Sequence, residues 1–194
     1  MIVFVYGGSG SGKSAFAEKR ITELNERGVS LYYLATMKVY EDEDRERVKH
    51  HRMLRKDKGF ITLEQPRDIG NVVERLDDEK SDILLECMSN LAANEMFPFD
   101  NTDEEFDTKS EEKIFENNPF YNMNFGLKIK NDVKKLYERC ENLVIVSNNV
   151  FEDGIIYDES TMEYIKALGD INKFLAELSD EVWEVVAGIP IRVK

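Results

Sequence analysis

The residues with the clearest chemical meaning are Gly7 to Ser14, which read Gly-Gly-Ser-Gly-Ser-Gly-Lys-Ser after an apolar run from Met1 to Tyr6. This is the phosphate-loop pattern G-x-x-x-x-G-K-[ST], placed after a predicted strand and before a predicted helix. Glycines let the backbone N–H groups there point into a concavity that suits phosphate oxygens. An ordinary glycine-rich turn is the alternative, which the preceding strand disfavours. The sequence therefore predicts that a nucleoside triphosphate binds to Gly7, Gly8, Ser9, Gly10, Ser11, Gly12, Lys13 and Ser14.

Two side chains near this loop are expected to bind Mg²⁺. The Ser14 hydroxyl is one ligand, while Lys13 reaches the outer phosphates as a catalytic residue. The segment Asp82-Ile-Leu-Leu-Glu86 reads as a neighbouring strand that ends in an acid. Glu86 would hold the ion directly or through water, because Mg²⁺ keeps several of its waters. The alternative for Glu86 is a solvated glutamate at the end of a strand.

The two histidines of the chain, His50 and His51, are adjacent and lie among basic residues. Nearby cations disfavour the imidazolium form, so a neutral and nucleophilic ring is expected near pH 7. From spacing alone, a solvated pair on a surface helix is the better interpretation. Adjacent helical residues also point in different directions, so the two rings cannot easily act on one atom.

The composition narrows the range of partners. The chain has 194 residues and a formal net charge of −13, so we expect no nucleic-acid partner. It lacks an apolar run long enough to span a membrane. Its two cysteines, Cys87 and Cys140, lie outside any recognised motif. They indicate reduced thiols that pack in the core of a cytoplasmic protein. The first residues read as a strand and phosphate loop rather than a signal peptide.

Short apolar segments alternate with helical ones, which predicts an α/β fold of the P-loop NTPase (RecA-like) type: a mostly parallel sheet flanked by helices, with a C-terminal antiparallel edge strand. Strands are predicted near 2–6, 30–35, 60–64, 82–86, 143–147 and 181–186, with a last strand at 191–194 after a turn at Gly188-Ile189-Pro190. Helices are predicted near 15–26, 43–55, 68–77, 90–96, 127–141 and 161–178. Residues 1–194 are expected to form a single nucleotide-binding domain. An acidic, aromatic-containing insertion at about 97–121 is either a partly ordered lid or a mobile loop.

The order of motifs resembles the adenosylcobinamide kinase / adenosylcobinamide-phosphate guanylyltransferase family of cobalamin biosynthesis. The phosphate loop is followed by Tyr33-Leu-Ala-Thr36, which is similar to the family's Tyr-Ile-Ala-Thr. The similar segments further along are Arg47-Val-x-x-His51, Phe60-Ile-Thr-Leu-Glu64, Ile83-Leu-Leu-Glu-Cys87, Gly154-Ile-Ile, Gly169-x-x-Asn172, Ser179-Asp-Glu-Val182 and Val185-Val-Ala-Gly188-Ile-Pro190.

This resemblance implies two reactions and a set of site residues. The family phosphorylates adenosylcobinamide with ATP or GTP, and it then transfers GMP from GTP to adenosylcobinamide phosphate through a guanylyl-histidine. His51 matches the family nucleophile. The resemblance further implies guanine-nucleotide contacts from Thr36, Arg52, Met53, Leu54, Arg55 and Glu64, with Glu86 and Mg²⁺ at the phosphates. It also implies a homo-oligomer, specifically a trimer.

The chain departs from the family pattern mainly between 149 and 166. The family's Glu-Val-Gly-x-Gly-Ile-Val-Pro is here Asn149-Val-Phe-Glu-Asp-Gly-Ile-Ile-Tyr157, and its Arg and Asp after the equivalent of Tyr164 become Ile165 and Lys166. Two alternatives therefore stay open beside the bifunctional enzyme. One is a small-molecule kinase without guanylyl transfer, and the other is a nucleotide-binding module without catalysis.

Overall fold

The computed structural model describes residues 1–37, 58–77, 80–97, 124–151 and 154–194. All seven strands within these ranges belong to one sheet, in the order β3-β2-β4-β5-β1-β6-β7. The elements are β1 (Ile2–Gly7), α1 (Lys13–Leu24), β2 (Leu31–Ala35), β3 (Ile61–Glu64), a 3₁₀ helix (Ile69–Arg75), β4 (Ser81–Glu86), α2 (Met88–Met96), α3 (Phe125–Glu138), β5 (Cys140–Asn148), α4 (Glu159–Leu178), β6 (Glu181–Val186) and β7 (Ile189–Arg192).

The sheet is parallel except at its last strand. β1 lies between β5 and β6 and pairs parallel with both, β4 pairs parallel with β2 and β5, and β2 also pairs parallel with β3. β7 runs antiparallel to β6 at one edge. The predicted fold class, with its antiparallel C-terminal edge strand, is thereby confirmed.

Helices cover both faces of the sheet, which explains why β1 reads as a continuous apolar run. Successive strand residues point to opposite faces. Ile2 and Phe4 pack into the larger core, which α2, α3 and α4 supply from one side. Val3 and Val5 pack into the smaller core on the other face, together with Ala17 and Ile21 of α1. The two cores hold β1 rigidly beneath the loop that follows it.

The predicted C-terminal turn and last strand were misplaced by about two residues. The turn falls at Ala187 and Gly188, which both have positive φ, at 48° and 83°. Two consecutive residues of this kind suit a tight hairpin, so β7 begins at once with Ile189 and Pro190. Pro190 is tolerated because β7 is an edge strand.

The other boundaries differ by a few residues. The helix predicted over 68–77 is the 3₁₀ helix Ile69–Arg75, and the first helix begins at Lys13, two residues earlier than predicted. The predicted helix over 43–55 lies outside the described residues, as does the acidic insertion apart from Phe97. In the part of the chain that the structure describes, no helix is long and apolar enough to cross a membrane.

Candidate nucleotide site

The course of the loop between β1 and α1 depends on glycines, either for their backbone conformation or for their close packing. Gly10 and Gly12 have positive φ, at 69° and 90°, which favours glycine. A Cβ atom on Gly7 would lie 2.4 Å from the Val185 carbonyl oxygen of β6. The turn of the β6–β7 hairpin also braces the loop, because Gly188 N–H donates to the Ser11 carbonyl at 2.8 Å. The loop is thus held by the neighbouring strand as well as by its own sequence.

Lys13 opens α1 and is largely buried beneath this loop, with 8% of its surface exposed. Its Nζ donates to the Gly8 carbonyl oxygen at 3.0 Å. Burial lowers the pKa of Lys13, while negative charge at Cys87 and Glu86 opposes that shift. A buried ammonium beside loop amides is a favourable environment for an anion. The negative charge of a bound phosphate would stabilise the charged form of the lysine, which burial disfavours.

The Glu86 carboxylate faces Ser14 across the carboxyl end of the sheet. The Ser14 hydroxyl donates to Glu86 Oε1, and the Tyr33 hydroxyl donates to Oε2 at 3.0 Å. Ser14 comes from the first turn of α1, while Glu86 ends β4 and Tyr33 belongs to β2. The three residues therefore meet only because the parallel strands end at one edge.

The oxygens of Ser14 and Glu86 fit the chemistry of Mg²⁺. Mg²⁺ prefers hard oxygen ligands, and it is usually held by one or two protein groups together with substrate phosphates and water. Among the described residues, no group of three or more His, Cys, Asp or Glu side chains could hold a metal by themselves.

Thr36 and Glu64 lie at the same edge, at the ends of β2 and β3. Thr36 is fully buried, and its hydroxyl bonds both the backbone N–H and the carbonyl of Cys87, each at 2.8 Å. Asn94 of α2 donates to the carbonyls of Thr36 and Pro66, at 2.8 and 3.0 Å. The structure therefore gives Thr36 a role in joining β2 to β4, and its contact with a nucleotide stays a prediction.

A cleft of about 810 Å³ adjoins the start of the phosphate loop. It lies between that loop, the ends of β5 and β6, and the first turns of α4. Its lining includes Gly8, Asn149, Tyr157, Thr161, Tyr164 and Glu184. The Tyr164 hydroxyl donates to the Ser89 carbonyl at 3.1 Å, which fixes that wall to α2.

Comparison with known proteins decides the family. A family model described as cobinamide kinase / cobinamide phosphate guanyltransferase matches residues 3–193. The chain belongs to this family. It is therefore a transferase with cobinamide and nucleotide substrates, and the recognition made from the motifs is confirmed.

Two curated relatives align over their whole length and over the whole of this chain. They are the bifunctional adenosylcobalamin biosynthesis proteins CobU of Escherichia coli strain K12 and Salmonella typhimurium strain LT2, at 26% and 28% identity. Among solved structures, a KaiC-like protein from Pyrococcus horikoshii OT3 is similar, with a TM-score of 0.44 and 16% sequence identity. The alignment covers 94% of this chain and 69% of the KaiC-like chain.

The structure brings together only part of the predicted site of this transferase. It places the phosphate loop, Lys13, Ser14 and Glu86 in one group, with Thr36 and Glu64 at the same edge of the sheet. His51 and Arg52, Met53, Leu54 and Arg55 lie outside the described residues.

Sequence reasoning missed Tyr33, Asn94 and the cleft beside the loop. Tyr33 had a usable signal, because it lies two residues before Ala35, the register partner of Glu86. Strand residues two apart share a face. Asn94 and the cleft had none, since both depend on how α2 and α4 pack on the sheet.

Proposed function

We propose that this chain carries out both reactions of its family on the corrinoid. It phosphorylates the aminopropanol hydroxyl of adenosylcobinamide with ATP or GTP. It then transfers GMP from GTP to adenosylcobinamide phosphate, which gives adenosylcobinamide-GDP and pyrophosphate. The observation that carries the proposal is the family match over residues 3–193, and the grouping of Lys13, Ser14 and Glu86 around the loop supports it.

In the kinase reaction the phosphate loop holds the triphosphate and aligns it with the acceptor. Lys13 moves its ammonium from the Gly8 carbonyl to the outer phosphates, where it offsets the charge of the leaving nucleoside diphosphate. Ser14 and Glu86 would hold Mg²⁺. When bound, that ion supplies further neutralisation of phosphate charge. Tyr33 keeps the Glu86 carboxylate turned toward Ser14 by its hydrogen bond to Oε2.

In the guanylyl transfer His51 is the nucleophile. Its imidazole nitrogen attacks the α-phosphorus of GTP, the bond to the bridging oxygen breaks, and pyrophosphate leaves with the electron pair. A phosphate oxygen of adenosylcobinamide phosphate then attacks the guanylyl-histidine, and the imidazole is released. Splitting one displacement into two is the usual benefit of covalent catalysis. Thr36, Arg52, Met53, Leu54, Arg55 and Glu64 bind the guanine nucleotide in this proposal.

The trimeric state and cytoplasmic location belong to the same proposal. The trimer comes from the resemblance, and the cytoplasmic location comes from the two free cysteines, Cys87 and Cys140, which are buried. Burial raises the pKa of the Cys140 thiol to about 12, so it stays protonated and unreactive at neutral pH.

Two labelled nucleotides test the proposal in one set of reactions. The enzyme is incubated with adenosylcobinamide, Mg²⁺ and either [γ-³²P]ATP or [α-³²P]GTP. We expect label from the first in adenosylcobinamide phosphate, and label from the second in adenosylcobinamide-GDP. Transfer of the γ label alone would leave a kinase without guanylyl transfer. Nucleotide binding without transfer of either label would leave a binding module.

A further inference from the structure

The cleft beside the phosphate loop lies on the opposite face of the sheet from α1. Glu184 lines it and is two residues from Val182 on β6, so both side chains point to the same face. Val182 belongs to the larger core, which α4 covers. The smaller core, with Ala17 and Ile21 of α1, fills the other face.

This placement puts the cleft next to the outer phosphates of a bound nucleoside triphosphate. Lys13, whose role in such loops is to reach the β- and γ-phosphates, has its Nζ at the Gly8 carbonyl. Gly8 itself lines the cleft. The inner phosphate is expected near the N-terminus of α1. A molecule in the cleft is therefore next to the phosphoryl group that is transferred.

The lining suits a molecule that is largely apolar and carries a hydroxyl group. Ile165, Val185 and Val186 supply apolar surface, and Tyr157 and Thr161 bring hydroxyl groups. Glu184 contributes a carboxylate, and within the part of the chain that the structure describes it has no hydrogen-bond or ion-pair partner. A carboxylate at the wall of such a cleft accepts a hydrogen bond from a hydroxyl and takes up its proton on reaction.

An exposed apolar rim continues from the cleft along the chain segment before α4. Ile156 is 92% exposed and Ile155 is 58% exposed, and both directly precede Tyr157 of the lining. Phe151, also exposed, packs against Gly169 of α4. Exposed apolar surface that runs into a pocket marks a binding site for a ligand larger than the pocket itself.

We propose that the cleft receives the hydroxyl-bearing arm of the corrinoid acceptor, that Ile155 and Ile156 contact the body of the corrinoid, and that Glu184 orients the reacting hydroxyl. This inference rests on the proposed kinase reaction. The hydroxyl oxygen forms a bond to the γ-phosphorus, and the bond from that phosphorus to the β–γ bridging oxygen breaks. The nucleoside diphosphate leaves with the electron pair, and the hydroxyl proton passes to the Glu184 carboxylate.

The rim is tested by Ile156→Asp, with Val193→Asp as the matched control. Val193 is also exposed, but it lies beside Val182 near the opposite end of β6 from the cleft. We expect Ile156→Asp to raise KM for adenosylcobinamide by about tenfold, since one buried aliphatic contact is lost and a charge is added. KM for ATP should stay within about twofold in both variants. An unchanged KM for adenosylcobinamide would overturn the proposal. A rise in KM for ATP instead would also overturn it, because that result would assign the cleft to the nucleoside.

Glu184→Gln tests the carboxylate separately, because it keeps the shape of the side chain. We expect kcat for phosphorylation to fall by about 100-fold, with little change in KM for ATP. A kcat equal to that of the wild type would overturn the role of Glu184. Wild-type enzyme with no phosphorylation of adenosylcobinamide would instead refute the proposed function, so the two failures are distinguishable.

Discussion

At the residue scale, the candidate site consists of one buried cation and one oriented carboxylate that face the same loop. Lys13 is held by the Gly8 carbonyl, and Glu86 is held by the hydroxyls of Ser14 and Tyr33. These contacts keep both charges beside the loop before any nucleotide binds, so that the Lys13 ammonium has only to move from the Gly8 carbonyl to the phosphates. Preorganisation of this kind lowers the reorganisation that the reaction would otherwise require.

Glu86→Gln tests the importance of that carboxylate. The substitution keeps the side-chain shape and one acceptor oxygen, but it removes the negative charge that is proposed to hold Mg²⁺. We expect kcat for phosphorylation to fall by about 100-fold or more, and the Mg²⁺ concentration for half-maximal rate to rise. Steady-state kinetics over a range of Mg²⁺ concentrations measures both quantities.

The matched control is Glu26→Gln, which changes an exposed glutamate just beyond α1. It should behave as wild type. Equal kcat and equal Mg²⁺ dependence in Glu86→Gln and Glu26→Gln would rule out the metal role of Glu86.

The grouping of Lys13, Ser14 and Glu86 could be predicted from the sequence because it depends on strand order at one edge of a parallel sheet. The phosphate-loop pattern identifies the first strand, and the acid after an apolar run identifies another. Asn94 could not be assigned in the same way, because its hydrogen bonds depend on how α2 is oriented on the sheet. The sequence places a residue on a strand, but it leaves the helix that packs above it unspecified.

At the element scale, the β6–β7 hairpin supports the phosphate loop. Gly188 of its turn donates to Ser11, and the Val185 carbonyl lies so near Gly7 that no side chain fits between them. The hairpin is also where the sequence prediction misplaced both the turn and the strand that follows it. Pro190 was predicted to belong to the turn, whereas the turn residue with positive φ is Ala187. Alanine rarely adopts positive φ, so the sequence did not indicate this position.

Gly7→Ala tests this close packing between β1 and β6. The new Cβ atom would meet the Val185 carbonyl oxygen at 2.4 Å, so one of the two strands must move. We expect a loss of about 2 kcal/mol in the free energy of unfolding, as for other overpacked cores. Urea denaturation followed by circular dichroism measures it.

Gly8→Ala is the control, because nothing lies within 4 Å of the corresponding Cβ position. Its free energy of unfolding should stay within about 0.5 kcal/mol of the wild type. Equal stability of the Gly7 and Gly8 variants would contradict the packing between loop and hairpin.

At the scale of the whole molecule, one lysine joins three elements on the helical face. Lys128 of α3 bonds Glu95 of α2, and it also bonds Asp68 at 3.0 Å and Asp132 at 3.2 Å. Burial alone lowers the pKa of Lys128, but the hydrogen bonds to Glu95 and Asp68 and the charges of Glu95 and Asp132 outweigh it and raise the pKa to about 12. The folded protein therefore favours the charged lysine more than the unfolded chain does.

The raised pKa of Lys128 has a defined effect on stability. Its contribution is fully present below the unfolded pKa of 10.5, and it is lost as the pH rises through about 12. Because 30% of the side chain is exposed, solvent screening limits this contribution to about 1 kcal/mol. We expect Lys128→Met to lower the free energy of unfolding by about that amount at pH 8, and the difference from wild type to shrink above pH 11.

Lys19→Met serves as the comparison, since the contact of Lys19 within the described residues is an exposed ion pair with Glu23 at 3.8 Å. Its removal should change stability by little at either pH. Denaturation at pH 8 and at pH 11.5 measures the free energy of unfolding of wild type, Lys128→Met and Lys19→Met. A Lys128→Met effect that is as small as that of Lys19→Met, or that grows with pH, would contradict the cluster's role.

The assembly of the molecule is a further prediction at this scale. The proposed trimer has a mass three times the 22.5 kDa of one chain. Size-exclusion chromatography with light scattering should report that mass at micromolar concentration. A single species of 22.5 kDa would exclude the trimer and leave the nucleotide site unaffected.

The central claim is that His51 carries GMP during the transfer, and intact-protein mass spectrometry tests it most directly. Wild-type protein, His51→Ala and His50→Ala are each incubated with Mg²⁺ and GTP, and their masses are recorded before and after mild acid. We predict an acid-labile gain of one GMP in wild type and in His50→Ala, and no gain in His51→Ala. The same gain in His51→Ala, or no gain in a wild-type protein that binds GTP, would contradict the guanylyl-histidine mechanism.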